Sequence, residues 1–247
     1  MLASVHLLDG GVRTTIRCLR RTPTPADTPG LRSARTVIAA PLGGSITSPQ
    51  PGRFGLIAFW DDAAALDEFL AGHPLAEALA GGWWVRLEPL RAVPVASGHF
   101  PGVPDGLPTA AAVDHDGPTA VLTIGRLRVN RTVTFLRTSS RAEKQVASAP
   151  GVLWATGLAN VARRVVSTFS LWQSGAAMRA YATSTSGHAA AISSERGRSF
   201  HHAGSFVRLR PHAASGSLPG RNPLPEEVTA FLNHGGPAWE AQSPSVG

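Results

Sequence analysis

Apolar and polar positions along this chain fall into short runs, and the runs come in the same order twice. Residues 54–60, Phe-Gly-Leu-Ile-Ala-Phe-Trp, are almost wholly apolar, as expected of a strand covered on both faces. Asp61-Asp62 follow as a helix start, with two carboxylates at the positive end of the helix dipole. Ala65, Leu66, Phe69 and Leu70 then supply an apolar stripe, the run reaches Gly72-His73, and strand-like alternation resumes through Trp83–Val93. The second passage runs from Val166 through Phe169 to Trp172, continues as a helical run to Gly187-His188, and closes with Phe206-Val207-Arg208-Leu209-Arg210-Pro211. Trp60 matches Trp172, Leu66 matches Met178, Phe69 matches Tyr181, and Val85-Arg86-Leu87 matches Val207-Arg208-Leu209.

Extending the pattern outward predicts one unit with strands near Ser4–Leu8, Arg32–Pro41, Phe54–Trp60 and Trp83–Val93, and a first helix over about 11–21. The other unit has strands near Thr119–Leu127, Gly151–Leu158, Val165–Trp172 and His202–Pro211. Its helices fall over about 130–148 and through Tyr181, with a further helical turn from His188. Both units are β-α-β-β-α-β, the ferredoxin-like order. The expected class is therefore α+β, with two tandem ferredoxin-like repeats (1–93 and 118–213) whose sheets face each other in a dimeric-α/β-barrel-type architecture. Residues 94–117 read as a linker, 214–247 as a tail of low periodicity, and the Gly-, Ser- and Pro-rich stretch 42–52 as a mobile connection. Exposed sheet edges could pair such a chain into a homo-oligomer.

Composition narrows the partners. The single cysteine, Cys18, excludes an intrachain disulfide and a thiolate zinc cage. No stretch approaches the apolar length of a membrane span, and the N-terminus lacks the features of a signal peptide, so the cytoplasm is the expected compartment. The net charge of +7 comes from scattered arginines with one lysine, Lys144. That distribution argues against nucleic acid and for solvation plus a docking surface for an acidic partner.

Candidate chemistry is sparse. No Gly-x-Ser-x-Gly elbow follows a strand, the glycine-rich stretch at 43–44 lacks a Walker lysine, and the carboxylates are few and read mostly as helix caps. His201-His202 are adjacent on a strand and so point to opposite faces, which disfavours joint zinc ligation. His188 shares a helix face with Ala177, Tyr181 and Ile192. It is either a helix-start histidine, as its counterpart His73 suggests, or a lone axial ligand to haem iron in an apolar pocket, with arginines on facing strands holding the propionates. Trp172, Met178 and Phe200 are either core or pocket wall.

From about Val165 to Leu224 the chain resembles the spheroidene monooxygenase family of carotenoid oxygenases. The resemblance is carried by Phe169-Ser170-Leu171-Trp172, Met178, Ala180-Tyr181-Ala182, Gly187-His188-Ala189, Arg196-Gly197 with Phe200, and Phe206-Val207-Arg208-Leu209, and then by Gly216-Ser217-Leu218-Pro219-Gly220-Arg221-Asn222-Pro223-Leu224. It implies a haem-dependent monooxygenase that uses O2 and reduced ferredoxin to oxidise a long apolar substrate. His188 would then be the iron ligand, with His202 the runner-up for that role or a distal hydrogen-bond donor, and Trp172, Met178, Tyr181 and Phe200 the pocket. The family has a proline between the glycine and histidine that is missing here, and His201-His202-Ala203-Gly204 replaces its Arg-Glu-Glu stretch. A relative acting on another natural product fits the same residues, as do a non-catalytic haem or lipid binder and a cofactor-free oxygenase of the same barrel type.

Overall fold

Alternation and apolar runs become strands nearly where the pattern places them. The structure, a computed structural model, describes residues 1–41, 50–94, 103–109, 117–127, 146–160, 162–183, 201–220 and 222–234. The first half comprises β1 (Leu2–Asp9), α1 (Gly11–Leu19), β2 (Leu31–Pro41), β3 (Arg53–Trp60), α2 (Ala63–Gly72), α3 (Pro74–Leu79) and β4 (Trp83–Pro94). β5 (Thr119–Leu127), β6 (Val152–Asn160), β7 (Val165–Trp172), α4 (Gly175–Thr183), β8 (His201–Ser215) and α5 (Glu226–His234) follow. Of the helix expected over 130–148 all but the last three residues lie outside the described residues, as does the turn at His188.

Local chemistry explains the boundaries. β3 is buried from Phe54 to Trp60, whereas β4 alternates buried and half-buried positions. Of the two carboxylates at the start of α2, only Asp62 caps, its Oδ1 accepting from the Ala65 amide at 3.0 Å. Asp61 instead accepts from Arg32 Nε at 2.5 Å. His73 ends α2 and begins α3: its Nδ1 accepts from the Leu75 amide at 3.1 Å, and its ring stacks on Phe69. This Gly-His pair is a helix-start feature.

The eight strands form one closed barrel in the order β1-β3-β2-β6-β7-β5-β8-β4, every neighbouring pair antiparallel. Two four-stranded sheets thus meet at two seams, β2 with β6 and β4 with β8, within one chain. The sheet edges expected to be exposed are joined to each other. Val5, Leu7, Val37, Phe59, Leu122, Phe169 and Leu209 belong to the cluster that fills the interior, as in small barrels generally.

The halves share their register. Leu2 opposes Trp60 as Thr119 opposes Trp172, and Ala3 opposes Leu87 as Ala120 opposes Leu209. β2 and β6 carry a bulge at the same step, between Leu31 and Ser33 and between Val152 and Trp154. Gly30 and Gly151 precede them at φ 68° and 78°, and a Cβ there would sit 2.4 and 2.6 Å from the Cβ of Ala65 and Ala177. Glycine is required at both by backbone angle and by space.

Two segments outside this plan complete the barrel core. Val103 and Leu107 of the linker join it, with the Ala92 amide donating to the Pro108 carbonyl at 2.7 Å. The tail is structured further than its polarity suggests. β8 continues past residue 213 to Ser215, Leu218, Leu224 and Val228 enter the core, and Asn233 bonds both the amide and the carbonyl of Ala214. Turn residues separate these apolar positions, so no period announces them. Among the described residues no helix is long and apolar enough to cross a membrane.

His6 lies on the outward face of β1, buried between the strand partners Leu56 and Trp84, and its Nε2 has no hydrogen-bond partner. Burial, and then the Arg86 guanidinium, lower its pKa from 6.5 to about 4. The folded protein therefore holds His6 neutral while the unfolded chain takes up a proton below 6.5. The stability contribution is complete above pH 6.5 and is lost as pH falls towards 4, on the order of 3 kcal/mol in all. Urea midpoints measured from pH 7 to 4.5 should fall in the wild type and fall less in His6→Gln. Equal slopes would refute this.

Candidate functional site

The outer faces of the two sheets differ in what fills them. On the first, Leu2, Leu8, Leu31, Phe54, Leu56 and Trp60 form a continuous buried layer with Cys18, Leu66, Phe69, Leu75 and Leu79 from α1, α2 and α3. On the second, the corresponding positions shrink. Thr119 stands where the register places Leu2, Gly125 where it places Leu8, Val166 for Phe54, Thr168 for Leu56 and Gly157 for Thr36. Two adjacent rows across this sheet read Gly157, Thr168, Thr123, Phe206 and Ala159, Val166, Gly125, Gly204. Four strands at ~4.8 Å spacing make a shelf about 14 Å wide. Glycines inside strands are the sequence signal for it, since they weaken a strand unless something approaches the backbone closely.

The wall at one end of the shelf is aromatic. Trp172 is buried, its Nε1 donating to Ser170 Oγ at 2.9 Å, and the Tyr181 ring lies 5.2 Å from it, tilted 33°. Met178 is buried in the same cluster with Val121, Val146 and Ala149. Burial raises the Tyr181 pKa, which keeps the phenol protonated. The structure thus brings Trp172, Met178 and Tyr181 together between α4 and the outward face of the sheet. Their counterparts pack the same way, Trp60 lying 5.0 Å from Phe69 with its Nε1 donating to Ser4 Oγ. The trio therefore also serves as the core under α4. His188 and Phe200 lie outside the described residues; His202 falls at the start of β8, and its side chain lies outside them too.

Four carboxylates of the described residues answer arginines rather than helix ends. Asp9 pairs with Arg53 (2.9 Å), Asp61 with Arg32 and Asp67 with Arg86 (2.5 Å each), and Glu88 with Arg210. Arg208 projects from β8 on the outward side, in the row of Val121 and Ser170 beside the shelf.

No family model matches the chain. Two crystal structures of aldoxime dehydratase, one in complex with butyraldoxime, superpose with TM-scores of 0.54 and 0.52. Each covers 85% of this chain, and 80% and 79% of the dehydratase chains, at 8% identity, so the likeness is one of fold. In sequence, a spheroidene monooxygenase from Rubrivivax gelatinosus is 31% identical over 203 residues, 80% of this chain and 76% of that protein. With so large a share of both chains aligned at that identity, the chain belongs to the spheroidene monooxygenase family.

Proposed function

We propose that this chain is a haem-dependent monooxygenase built from two tandem ferredoxin-like units, 1–93 and 118–213, of which the second holds the cofactor. The strands of the first unit fill their outer face with large apolar side chains, and those of the second carry small residues and glycines at the matching positions. That contrast is the observation that supports the reading. The shelf suits a flat macrocycle: small residues, backbone and the Phe206 ring form its floor, and the Trp172–Tyr181 pair its wall. His188 follows the end of α4 by only five residues, within reach of the shelf for an extended chain at ~3.5 Å per residue. It would ligate the iron through a neutral imidazole, and Arg208 would meet a propionate.

Haem, when bound, supplies the redox chemistry toward O2. The residues of this chain position it, exclude water and receive the substrate. Dry apolar walls suit a hydrocarbon and keep solvent from the reacting centre. The substrate class is an extended apolar molecule, carotenoid-like or another natural product. The test is protein expressed with a haem precursor, assayed with 18O2, an electron donor and a carotenoid panel. A Soret band with one labelled oxygen atom in the product is expected. A coloured but inert protein would make it a haem carrier, and a colourless, active one a cofactor-free oxygenase.

An acidic ferredoxin is the proposed electron donor, matching the net charge of +7. Turnover supported by it should fall several-fold as NaCl rises to about 0.5 M, where exposed charges are screened within a few ångströms. Salt-independent reduction would remove the electrostatic argument for such a donor.

A further inference from the structure

The barrel interior is apolar along most of its length but turns cationic at the end where β5 finishes. Ala120, Leu122 and Ile124 point inward, so Arg126, two residues on, continues the same face. By the same alternation Arg35 follows the inward side of β2 below Val37 and Ala39, and Ser167 lies inward on β7 between Val165 and Phe169. Ser167 opposes Ile124 across the strand pair, one step from Arg126, and Ser205 flanks the same Ile124 from β8.

Two observations show that this polar end is not self-contained. Ser167 is only 7% exposed, and its Oγ has no hydrogen-bond partner. The Arg126 Nε is buried and equally unpartnered. A buried hydroxyl or guanidinium N–H left unmatched costs on the order of 1–3 kcal/mol, so such groups normally have an occupant. The charges point to its sign. Arg35 is held below its usual pKa by burial and then by Arg163 and Arg126, which places cations around it. The carboxylates paired in the described residues lie elsewhere: Asp9 with Arg53 on the continuation of β1 and β3, and Asp61, Asp67 and Glu88 with Arg32, Arg86 and Arg210.

We propose that this end of the barrel binds a small oxyanion, of phosphate or carboxylate class, with Arg126 supplying the charged N–H donors and Ser167 its hydroxyl. The site is on the inner face of the strands whose outer face forms the shelf, so it is separate from the proposed haem position. An arginine fork matches two oxygens of such an anion, and a hydroxyl adjacent to it takes a third or shares one. Apolar walls from Ile124 and Val165 strengthen both contacts by excluding water.

Thermal unfolding of the full chain tests this in sodium phosphate, in sodium acetate, and in sodium chloride at matched ionic strength. Binding to the folded state alone should raise the midpoint saturably, by about 3 °C or more, in at least one oxyanion over chloride. The oxyanion that saturates at lower concentration identifies the class. Arg126→Gln should abolish the increment and raise the midpoint in chloride, because it removes one of three mutually repelling cations. Ser167→Ala should keep the increment but need about tenfold more anion. Identical midpoints in all three salts for the wild type would overturn the proposal. So would an undiminished increment in Arg126→Gln, or, should that variant not fold, an unchanged half-saturation in Ser167→Ala.

Discussion

His188→Ala should give a folded, nearly colourless protein, with bound haem reduced more than tenfold and O2-dependent turnover at background. A single imidazole is the only strong ligand proposed for the iron, so nothing replaces it when it is removed. Circular dichroism should be unchanged, and exogenous imidazole should restore part of the Soret absorbance by filling the vacated space. His73→Ala is the matched control. Its loss removes a side-chain acceptor for the Leu75 amide and a stacking partner for Phe69. It should cost stability of about 1 kcal/mol and leave the colour intact. A wild-type Soret band in His188→Ala would move the ligand assignment to His202.

Trp60→Ala should have the largest effect on stability. Trp60 is fully buried and stands at the centre of the layer between the first sheet and its helices, against Phe69. Truncating a buried tryptophan costs about 3–5 kcal/mol through lost transfer energy and the cavity left behind. Ser4 Oγ, itself fully buried, also loses the indole N–H that meets it. Most of the stability of an ordinary domain is of this size, so the variant should unfold at a urea concentration far below wild type. A loss under about 2 kcal/mol would mean that the layer collapses around the gap and is not close-packed.

Strands were the most legible part of the sequence, and the reason is periodicity. The alternation in Trp83–Pro94 and the apolar run Phe54–Trp60 each specify a burial pattern that only one register satisfies. The matched anchors were legible for the same reason, and Trp60 and Trp172 occupy equivalent strand ends with equivalent ring partners. Helix ends were less so. Asp61 and Asp62 look alike in sequence, and a distant arginine decides between them. The tail was missed because Leu218, Leu224 and Val228 are separated by turns, and their burial depends on a barrel that local pattern does not describe. Within the candidate site, Trp172, Met178 and Tyr181 were legible as a group, but not their double use as core and wall. The shelf itself needed the sheet, because Gly125, Gly157 and Gly204 become neighbours only across strands.

The two seams also carry a consequence for how the chain is made. β2 and β4 find their outer partners only in β6 and β8, and Asn160 reaches the Thr36 carbonyl across 124 residues of sequence. At synthesis rates of about 5–20 residues per second, the first half leaves the ribosome on the order of ten seconds before those partners exist. During that interval it presents two unpaired strands and the apolar inner side of a half-barrel, the surface most prone to pair with another nascent chain. Closure then depends on contacts of long sequence separation, which makes it a slow step. Yield of soluble protein should therefore respond to translation rate and to chaperone supply more than the stability of the finished barrel would suggest.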